Sequence, residues 1–291
     1  MFITDLFNRP RRTYSFEFFP PKDEISAVDF GINIGQLLRF DPSFVSVTYG
    51  AGGSKQDRTF DLVNYLQNKI GLTCMAHYTC INATREKVKE DMDKLYNSGI
   101  RNLMLLRGDP PKGSEYSKPV SDGFQYASEL IEFVKAQDRF TIGGAAYPEK
   151  HLEAETFERD IQNLKVKVDA GADFLVAQMF FINEKYFNFI ERARKAGIDR
   201  RIIPGIIPIT NARQIKRFAD MSGAEIPADL QEQIQQYQDQ PKKIYQIGVD
   251  FAIKQCTELL ERGAPGLHFY TLNKSRATVE VFETLKHRKV L

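Results

Sequence analysis

One stretch of the chain sets the fold prediction, and it carries a single acid: Tyr14-Ser15-Phe16-Glu17-Phe18-Phe19-Pro20-Pro21. Side chains alternate along a β-strand, so Ser15, Glu17 and Phe19 share one face while the other aromatic residues share the opposite face. The two prolines then end the strand. A carboxylate on a buried strand is costly unless it is paired, hydrogen-bonded or protonated. Glu17 is therefore a candidate for proton chemistry, with a salt-bridged structural glutamate as the alternative.

Short β-rich runs and longer amphipathic stretches alternate along the rest of the chain. Strands are predicted at 14–19, 44–48, 73–77, 101–106, 140–146, 173–178, 202–206 and 266–270. Helices are predicted at 25–39, 57–69, 84–98, 124–136, 153–170, 184–196, 211–219 and 275–287. About eight strands in alternation with helices is the number that closes an α/β barrel of the (β/α)8 TIM type.

The barrel accounts for nearly the whole chain of 291 residues, because one such domain takes about 250 residues. No linker or low-complexity stretch divides the sequence, so a single domain over residues 1–291 is expected. The segment 226–263 has no counterpart in the repeating unit, and its apolar spacing predicts one or two extra helices before the last strand. Glycines at 71, 99, 171 and 197 each follow a helical pattern, where a left-handed C-cap is expected.

The charge balance, apolar content and cysteines of the chain indicate which kinds of binding partner to expect. Lys and Arg number 40 against 38 Asp and Glu, a net charge of +2, so no basic surface for nucleic acid or membrane is indicated. No apolar run approaches the roughly 20 residues of a membrane span. Three cysteines without a C-x-x-C spacing favour a reducing, cytoplasmic compartment. Cys74 and Cys80 fall on the opposite strand face from His77, which argues against a metal site there, and none is predicted.

Polar residues gather where the predicted strands end, which is where a parallel barrel places its reaction site. They are Glu17, Ser46, Thr48, His77, Arg107, Asp109, Tyr147, Gln178, His268 and Tyr270. Their apolar neighbours have the opposite parity, as Val45 and Val47 do around Ser46, and suit the helix-facing side of the sheet. Any one of these polar groups could be a satisfied core residue, but the whole set predicts a ligand site in the barrel mouth.

Five motifs give the sequence a family resemblance along nearly its whole length. They are Ser15-Phe16-Glu17-Phe18-Phe19-Pro20-Pro21, Ser46-Val47-Thr48-Tyr49-Gly50-Ala51-Gly52-Gly53, Leu106-Arg107-Gly108-Asp109, Ala146-Tyr147-Pro148-Glu149 and His268-Phe269-Tyr270-Thr271-Leu272-Asn273. Through them the chain resembles methylenetetrahydrofolate reductases of the bacterial type that consist of the catalytic domain alone. The resemblance implies a barrel that binds FAD without a Rossmann fingerprint and reduces methylenetetrahydrofolate. NADH or NADPH and the folate would use one flavin face in turn, and a homo-oligomer is expected.

The resemblance also implies residue roles. Glu17 would be the general acid that protonates the folate, with a pKa raised by burial, and Asp109 would hold the pterin and tune the flavin. Substrate contacts would come from Gln178, Gln214, Phe218 and Leu272. The FAD contacts would be Thr48, His77, Arg107, Gly108, Asp109, Tyr126, Ala127, Tyr147, His151, Asp160, Asn163 and Lys167. Val166 is a departure, because relatives often carry a second basic side chain at that position.

The residues themselves leave open several alternatives to these assigned roles. Phe218 has the spacing of a core residue on an amphipathic helix, and His151 and Asp160 could be ordinary residues of a helix start. At the level of function, the alternatives are a pterin-dependent one-carbon or methyl transferase without redox chemistry and a non-catalytic folate-binding subunit.

Overall fold

The computed structural model describes residues 1–49, 56–108 and 120–291. Within them, parallel strands form one sheet in the order β7-β6-β5-β4-β3-β2-β1-β9-β8. The strands are β1 (Thr13–Phe18), β2 (Phe44–Val47), β3 (Cys74–Thr79), β4 (Asn102–Leu106), β5 (Thr141–Ala146), β6 (Phe174–Ala177), β7 (Arg201–Ile203), β8 (Gly205–Ile206) and β9 (Gly266–Tyr270).

The sheet closes through a strand that is broken in two. Only Pro204 separates β7 from β8, and proline has no N–H to donate to a ladder. β7 pairs with β6 while β8 pairs with β9, so the two edges of the sheet belong to one barrel strand. Eight barrel positions result, which confirms the predicted TIM barrel and shows that the predicted strand 202–206 is interrupted.

The helices surround the sheet in the predicted alternation. They are α1 (Ile3–Phe7), α2 (Glu24–Leu38), α3 (Gln56–Asn68), α4 (Arg85–Asn97), α5 (Ala127–Lys135), α6 (Phe157–Asp169), α7 (Asn183–Lys195), α8 (Ala212–Ser222), α9 (Ala228–Gln236), α10 (Pro241–Glu261) and α11 (Arg276–His287). The extra segment forms two helices, α9 and α10, with Pro241 at the first position of the second. The helix predicted from 153 begins at Phe157, because the Thr156 hydroxyl caps it by accepting from the Arg159 N–H at 3.1 Å.

Successive side chains on the strands alternate between the helix-facing layer and the barrel interior, as the sequence predicts. Val45, Val47, Leu267 and Phe269 are buried in the hydrophobic layer between the sheet and its helices. Cys74 and Cys80 lie in the same layer, while the imidazole of His77 approaches Glu17 inside the barrel. Four members of the polar set, Glu17, Ser46, His77 and His268, are thus buried in the barrel interior.

The short helix α1, which the sequence analysis did not predict, closes the lower end of the barrel. Ile3 and Leu6 are buried against interior residues near the strand starts, among them Met75 and Phe174. The amide of Asn102 fixes the helix, because its Oδ1 accepts from the Ile3 N–H at 2.7 Å. The opposite end, where the strands finish, is thereby left as the mouth.

The helices α8, α9 and α10 build a second hydrophobic cluster beside that mouth. Ile207 and Ile209, which follow β8, pack there with Ile215 of α8, Leu230 of α9 and Ile244 of α10. The insertion therefore serves to hold α8 at the rim. No helix among the described residues is long and apolar enough to cross a bilayer.

Candidate active site

Glu17 lies at the mouth end of β1 between two imidazoles. Its Oε2 is 3.4 Å from Nε2 of His268 and 3.4 Å from Nε2 of His77. On the far side of His268, Nδ1 lies 2.7 Å from the Ser15 hydroxyl. The parallel register between β1 and β9 places Ser15 opposite His268 and so creates this Ser15–His268–Glu17 chain. Glu17 is 8% exposed, so it has almost no water to compete with these partners.

The pKa of Glu17 is lowered in this arrangement. Burial raises it, but the charge of His77 and the hydrogen bond and charge of His268 together outweigh burial. Among the described residues the direction is therefore opposite to the expected raised pKa, because no sequence pattern indicates that the two histidines contact the acid. Burial in turn lowers the pKa of His77, and the Glu17 carboxylate opposes that effect. Nε2 of His77 is buried and lacks hydrogen-bond geometry to any described residue, with the Glu17 carboxylate 3.4 Å away.

The strand ends around Glu17 are tied by side chains that follow β9. The Thr271 hydroxyl donates to the Glu17 carbonyl at 2.6 Å. Asn273 binds the backbone of Phe19 twice, accepting from its N–H and donating to its carbonyl, each at 2.8 Å. These contacts join two of the sequence motifs and fix the backbone that carries the acid.

The structure brings three of the predicted substrate residues together. Gln214, Phe218 and Leu272 line one cleft with residues 207–211, beside α8. The N-cap of α8, Asn211, accepts from the Gln214 N–H at 3.1 Å and so fixes that end of the helix. Phe218 packs on the second hydrophobic cluster, so the core interpretation and the cleft interpretation of this residue both apply. Leu272 reaches the cleft through a left-handed backbone, with φ of 53°.

Gln178, the fourth predicted substrate residue, directly follows β6 on another side of the mouth. Its side-chain oxygen accepts from the Met179 N–H at 2.9 Å, so the amide is held close to its own backbone. The preceding residue, Ala177, accepts a hydrogen bond from the Tyr270 hydroxyl at 2.9 Å. Met179, Tyr270 and Leu272 all pack against the second hydrophobic cluster. Gln178 is not among the residues that line the α8 cleft, but Met179 beside it packs on the same cluster as Leu272.

Four of the predicted flavin residues form a cluster after β5. The rings of Tyr147 and His151 meet edge to face with centroids 4.6 Å apart. The carboxylate of Asp160 accepts from the His151 N–H at 3.1 Å, so this residue both opens α6 and holds the loop. The ammonium of Lys167 donates to the Ala145 carbonyl at 2.6 Å. Burial lowers the pKa of Lys167 to about 8 and raises that of Asp160.

Arg107 and Gly108 stand at the end of β4. The Arg107 guanidinium makes a two-pronged ion pair with Glu153, with both N–O distances at 2.7 Å, a partner that the sequence analysis missed. Gly108 has φ of +89°, and a Cβ there would lie 2.8 Å from the Ile81 side chain. Only glycine suits that left-handed turn.

The remaining predicted flavin residues lie around this sector. Thr48 follows β2, and its carbonyl accepts from the Thr59 hydroxyl at 3.0 Å. Tyr126 and Ala127 begin α5, and the Tyr126 side chain is exposed. Asn163 is an exposed residue of α6, as is Val166. Asp109, assigned to both pterin and flavin, lies outside the described residues.

Cations, aromatic rings and the imidazole of His77, along the ends of β3, β4 and β5, are chemically suited to a flavin nucleotide. Lys167 and Arg107 supply positive charge for a pyrophosphate, and His77 offers a hydrogen-bonding group from the interior. The described residues contain no group of three or more His, Cys, Asp or Glu side chains that could hold a metal ion.

Comparison with known proteins places these residues in a family. The family profile described as methylenetetrahydrofolate reductase matches residues 3–286. The chain belongs to the methylenetetrahydrofolate reductase family. It is 40% identical over 271 residues to 5,10-methylenetetrahydrofolate reductase of Escherichia coli (strain K12), covering 93% of this chain and 90% of that protein. The family resemblance drawn from the five motifs is thus confirmed, and the chain is an oxidoreductase of this family.

Relatives with longer chains match the same region. Methylenetetrahydrofolate reductase (NADH) 1 of Arabidopsis thaliana is 34% identical over 294 residues, covering 97% of this chain and 50% of the plant protein. Among solved structures, a Clostridium thermocellum protein that binds two copies of 5-methyl-5,6,7,8-tetrahydrofolic acid superposes with a TM-score of 0.67. The two share 13% sequence identity, with 99% of this chain and 100% of that chain covered, so the likeness supports the barrel fold alone.

Strand parity predicted the interior position of His268 but did not identify Ser15 as its partner. His268 stands in the motif at the end of β9, and its interior position follows from the apolar residues on either side. Ser15 shares a strand face with Glu17, and only the register between β1 and β9 brings it to the imidazole. The missing information was which strand lies beside β1, and closure of the barrel supplies it.

Proposed function

We propose that this chain reduces 5,10-methylenetetrahydrofolate to 5-methyltetrahydrofolate, with FAD bound in the mouth and NADH or NADPH as the source of hydride. The observation that carries the proposal is the buried carboxylate of Glu17, joined to His268 and Ser15, at the same mouth as the cleft of Gln214, Phe218 and Leu272. An acid at the same barrel mouth as an apolar and amide-lined cleft suits a substrate with a flat ring and a basic nitrogen. Family membership and the 40% identical relative support the same reaction.

Glu17 supplies a proton to a bridging nitrogen of the folate, so that its bond to the methylene carbon breaks and the five-membered ring opens to an iminium ion. A carboxylate with a lowered pKa needs help to do so, and the bound substrate would supply it by excluding water. The ring of a bound folate would cover the mouth and remove the remaining water, which favours the neutral carboxyl group.

The flavin sector would be formed by Thr48, His77, Arg107, Gly108, Asp109, Tyr126, Ala127, Tyr147, His151, Asp160, Asn163 and Lys167. When bound, FAD supplies hydride transfer from a nicotinamide to the folate. Lys167 and Arg107 would neutralise its pyrophosphate, and Arg107 would exchange or share its ion pair with Glu153 to do so. Because Val166 adds no charge, we assign the phosphate contact chiefly to Lys167 and to backbone N–H groups.

Folate and nicotinamide would occupy the same cleft in turn. Gln178 and Gln214 offer amide groups for the polar edge of either ring, Phe218 and Leu272 offer apolar contact, and Asp109 would hold the pterin. NADH is the better candidate for the reductant, since the name of the plant relative specifies NADH. We further assign the whole chain to one catalytic domain that forms homo-oligomers in the cytoplasm, where its three free, buried cysteines would stay reduced.

The proposal is tested by loading purified protein with FAD and following the flavin absorbance near its visible maximum. NADH should bleach the flavin, and methylenetetrahydrofolate should restore its colour with formation of methyltetrahydrofolate. A protein that takes up no FAD is not a flavin-dependent reductase. Methyl transfer from the folate without any flavin would support the transferase, and FAD uptake without turnover by NADH or NADPH would support the non-catalytic folate-binding protein.

A further inference from the structure

The side chain of Tyr270 crosses from β9 to β6, two strands that do not pair with each other. Its hydroxyl donates to the Ala177 carbonyl at 2.9 Å, over a sequence separation of 93 residues. Between the two strands stands the broken strand of β7 and β8. A side chain thus spans one whole barrel position at the mouth.

The break in that strand explains why the carbonyl of Ala177 is available. The ladder between β6 and β7 ends with the pair Val176 and Ile203. The next residue on the β7 side is Pro204, which has no N–H. On the other side of β6, the N–H of Gln178 donates to the Ala146 carbonyl at 2.8 Å. The Tyr270 hydroxyl therefore supplies a donor at the point where the β6–β7 ladder stops.

Gly205 leaves space for the hydrogen bond between the Tyr270 hydroxyl and the Ala177 carbonyl, which we call the Tyr270 bridge. A Cβ at this position would lie 2.1 Å from the Ala177 carbonyl oxygen and 2.7 Å from the Tyr270 hydroxyl oxygen. Both distances are far below van der Waals contact, so no other residue can stand there without moving the bridge. The bridge and the glycine are thus one structural unit.

The bridge ends at residues that matter for the site. In the register between β1 and β9, Tyr270 stands opposite Glu17, and its ring meets that of His268 edge to face at 5.3 Å. At the other end, Ala177 directly precedes Gln178. We propose that Tyr270 is a positioning residue that holds Gln178 at a fixed place relative to Glu17, so that one folate ring can meet both. This inference rests on the proposed function.

A matched pair of tyrosine variants tests the idea. Tyr270→Phe removes the hydroxyl and keeps the ring. The control is Tyr186→Phe, because the Tyr186 hydroxyl also donates to a strand carbonyl, that of Ile202, at 2.8 Å. It belongs to α7, outside the barrel. Each variant is loaded with FAD, and thermal unfolding, the Kd of 5-methyltetrahydrofolate, and kcat and KM for the substrate are measured.

Both variants should lose a similar amount of thermal stability. Tyr270→Phe should also raise the Kd and KM for folate about tenfold, the size of effect that loss of one hydrogen-bonded constraint can have, and Tyr186→Phe should leave both unchanged. A second measurement tests whether the loss of folate affinity in Tyr270→Phe acts through Gln178. In a Gln178→Ala background, Tyr270→Phe should change the Kd by less than about twofold, because residues that act through each other are not additive.

Two outcomes overturn the inference. One is a Tyr270→Phe protein whose folate affinity matches that of Tyr186→Phe, since the bridge would then be a stabilising bond and nothing more. The other is an equal loss of affinity with and without Gln178. Wild-type protein that binds FAD but no folate would instead contradict the proposed function itself.

Discussion

Nε2 of His268 lies 3.4 Å from Oε2 of Glu17, and the other ring nitrogen lies 2.7 Å from the Ser15 hydroxyl. An imidazole held at both nitrogens has a fixed orientation and can donate to the carboxylate only from Nε2. The acid at the centre of the site therefore depends on a strand that is 251 residues away in sequence.

Glu17→Gln should separate the two halves of the reaction. The amide has nearly the same shape but no proton of suitable acidity, so the folate step should slow by about 100-fold or more, the usual contribution of a general acid. Reduction of the flavin by NADH should be nearly unchanged. Stopped-flow absorbance measures each half separately, and an equal loss in both would remove Glu17 from the acid role.

His268→Leu should raise the pKa of Glu17, because it deletes the hydrogen bond and charge of His268, and only the charge of His77 and the Ser46 hydroxyl then oppose the effect of burial. An acid works in its protonated form, so the rate of the folate step falls as pH rises through its pKa. The falling limb of the pH profile should therefore move to higher pH in the variant. Ser15→Ala, which frees only the far nitrogen, should produce a smaller shift in the same direction. A falling limb at the same pH in wild type and His268→Leu would show that His268 does not affect the pKa of the acid.

Flavin affinity should weaken above pH 8. The pKa of Lys167 is about 8 because of burial, so its positive charge is lost as pH rises through that value. A bound pyrophosphate would move the loss somewhat higher by stabilising the charge. Fluorescence titration with FAD at pH 7 and pH 9.5 should give a higher Kd at the higher pH, and Lys167→Met should abolish most of that difference. If the Kd for FAD depends on pH as strongly in Lys167→Met as in wild type, a group other than Lys167 is responsible.

Gly205→Ala should be strongly destabilising. The added methyl group would meet the Ala177 carbonyl oxygen at 2.1 Å, and overpacking of this kind costs about 1–3 kcal/mol or more in the free energy of unfolding. Gly35→Ala is the matched control. This glycine belongs to α2, and a Cβ there meets nothing within 4 Å, so the change should stabilise the protein by about 0.5–1 kcal/mol through helix propensity. Urea denaturation measures both. Equal effects would contradict the close approach at Gly205.

The sequence by itself determined the βα alternation, the barrel and the parity of the strands. These features depend on local patterns: side chains alternate with a period of two in strands, and apolar residues recur at helical spacing in helices. That is why Glu17, His77 and His268 could be placed inside the mouth and Cys74 and Cys80 outside it. It is also why the extra helices before β9 could be predicted without knowing what they cover.

Only the tertiary structure decided which distant groups meet. The lowered pKa of Glu17 depends on His77 and His268, on two other strands, and the ion pair of Arg107 depends on Glu153 in a different loop. Closure of the barrel likewise decides three other features: the packing of α1 against the strand starts, the break at Pro204, and the bridge from Tyr270 to Ala177. Local propensity contains no information about these contacts, because they join residues whose neighbourhood is set by strand order and register.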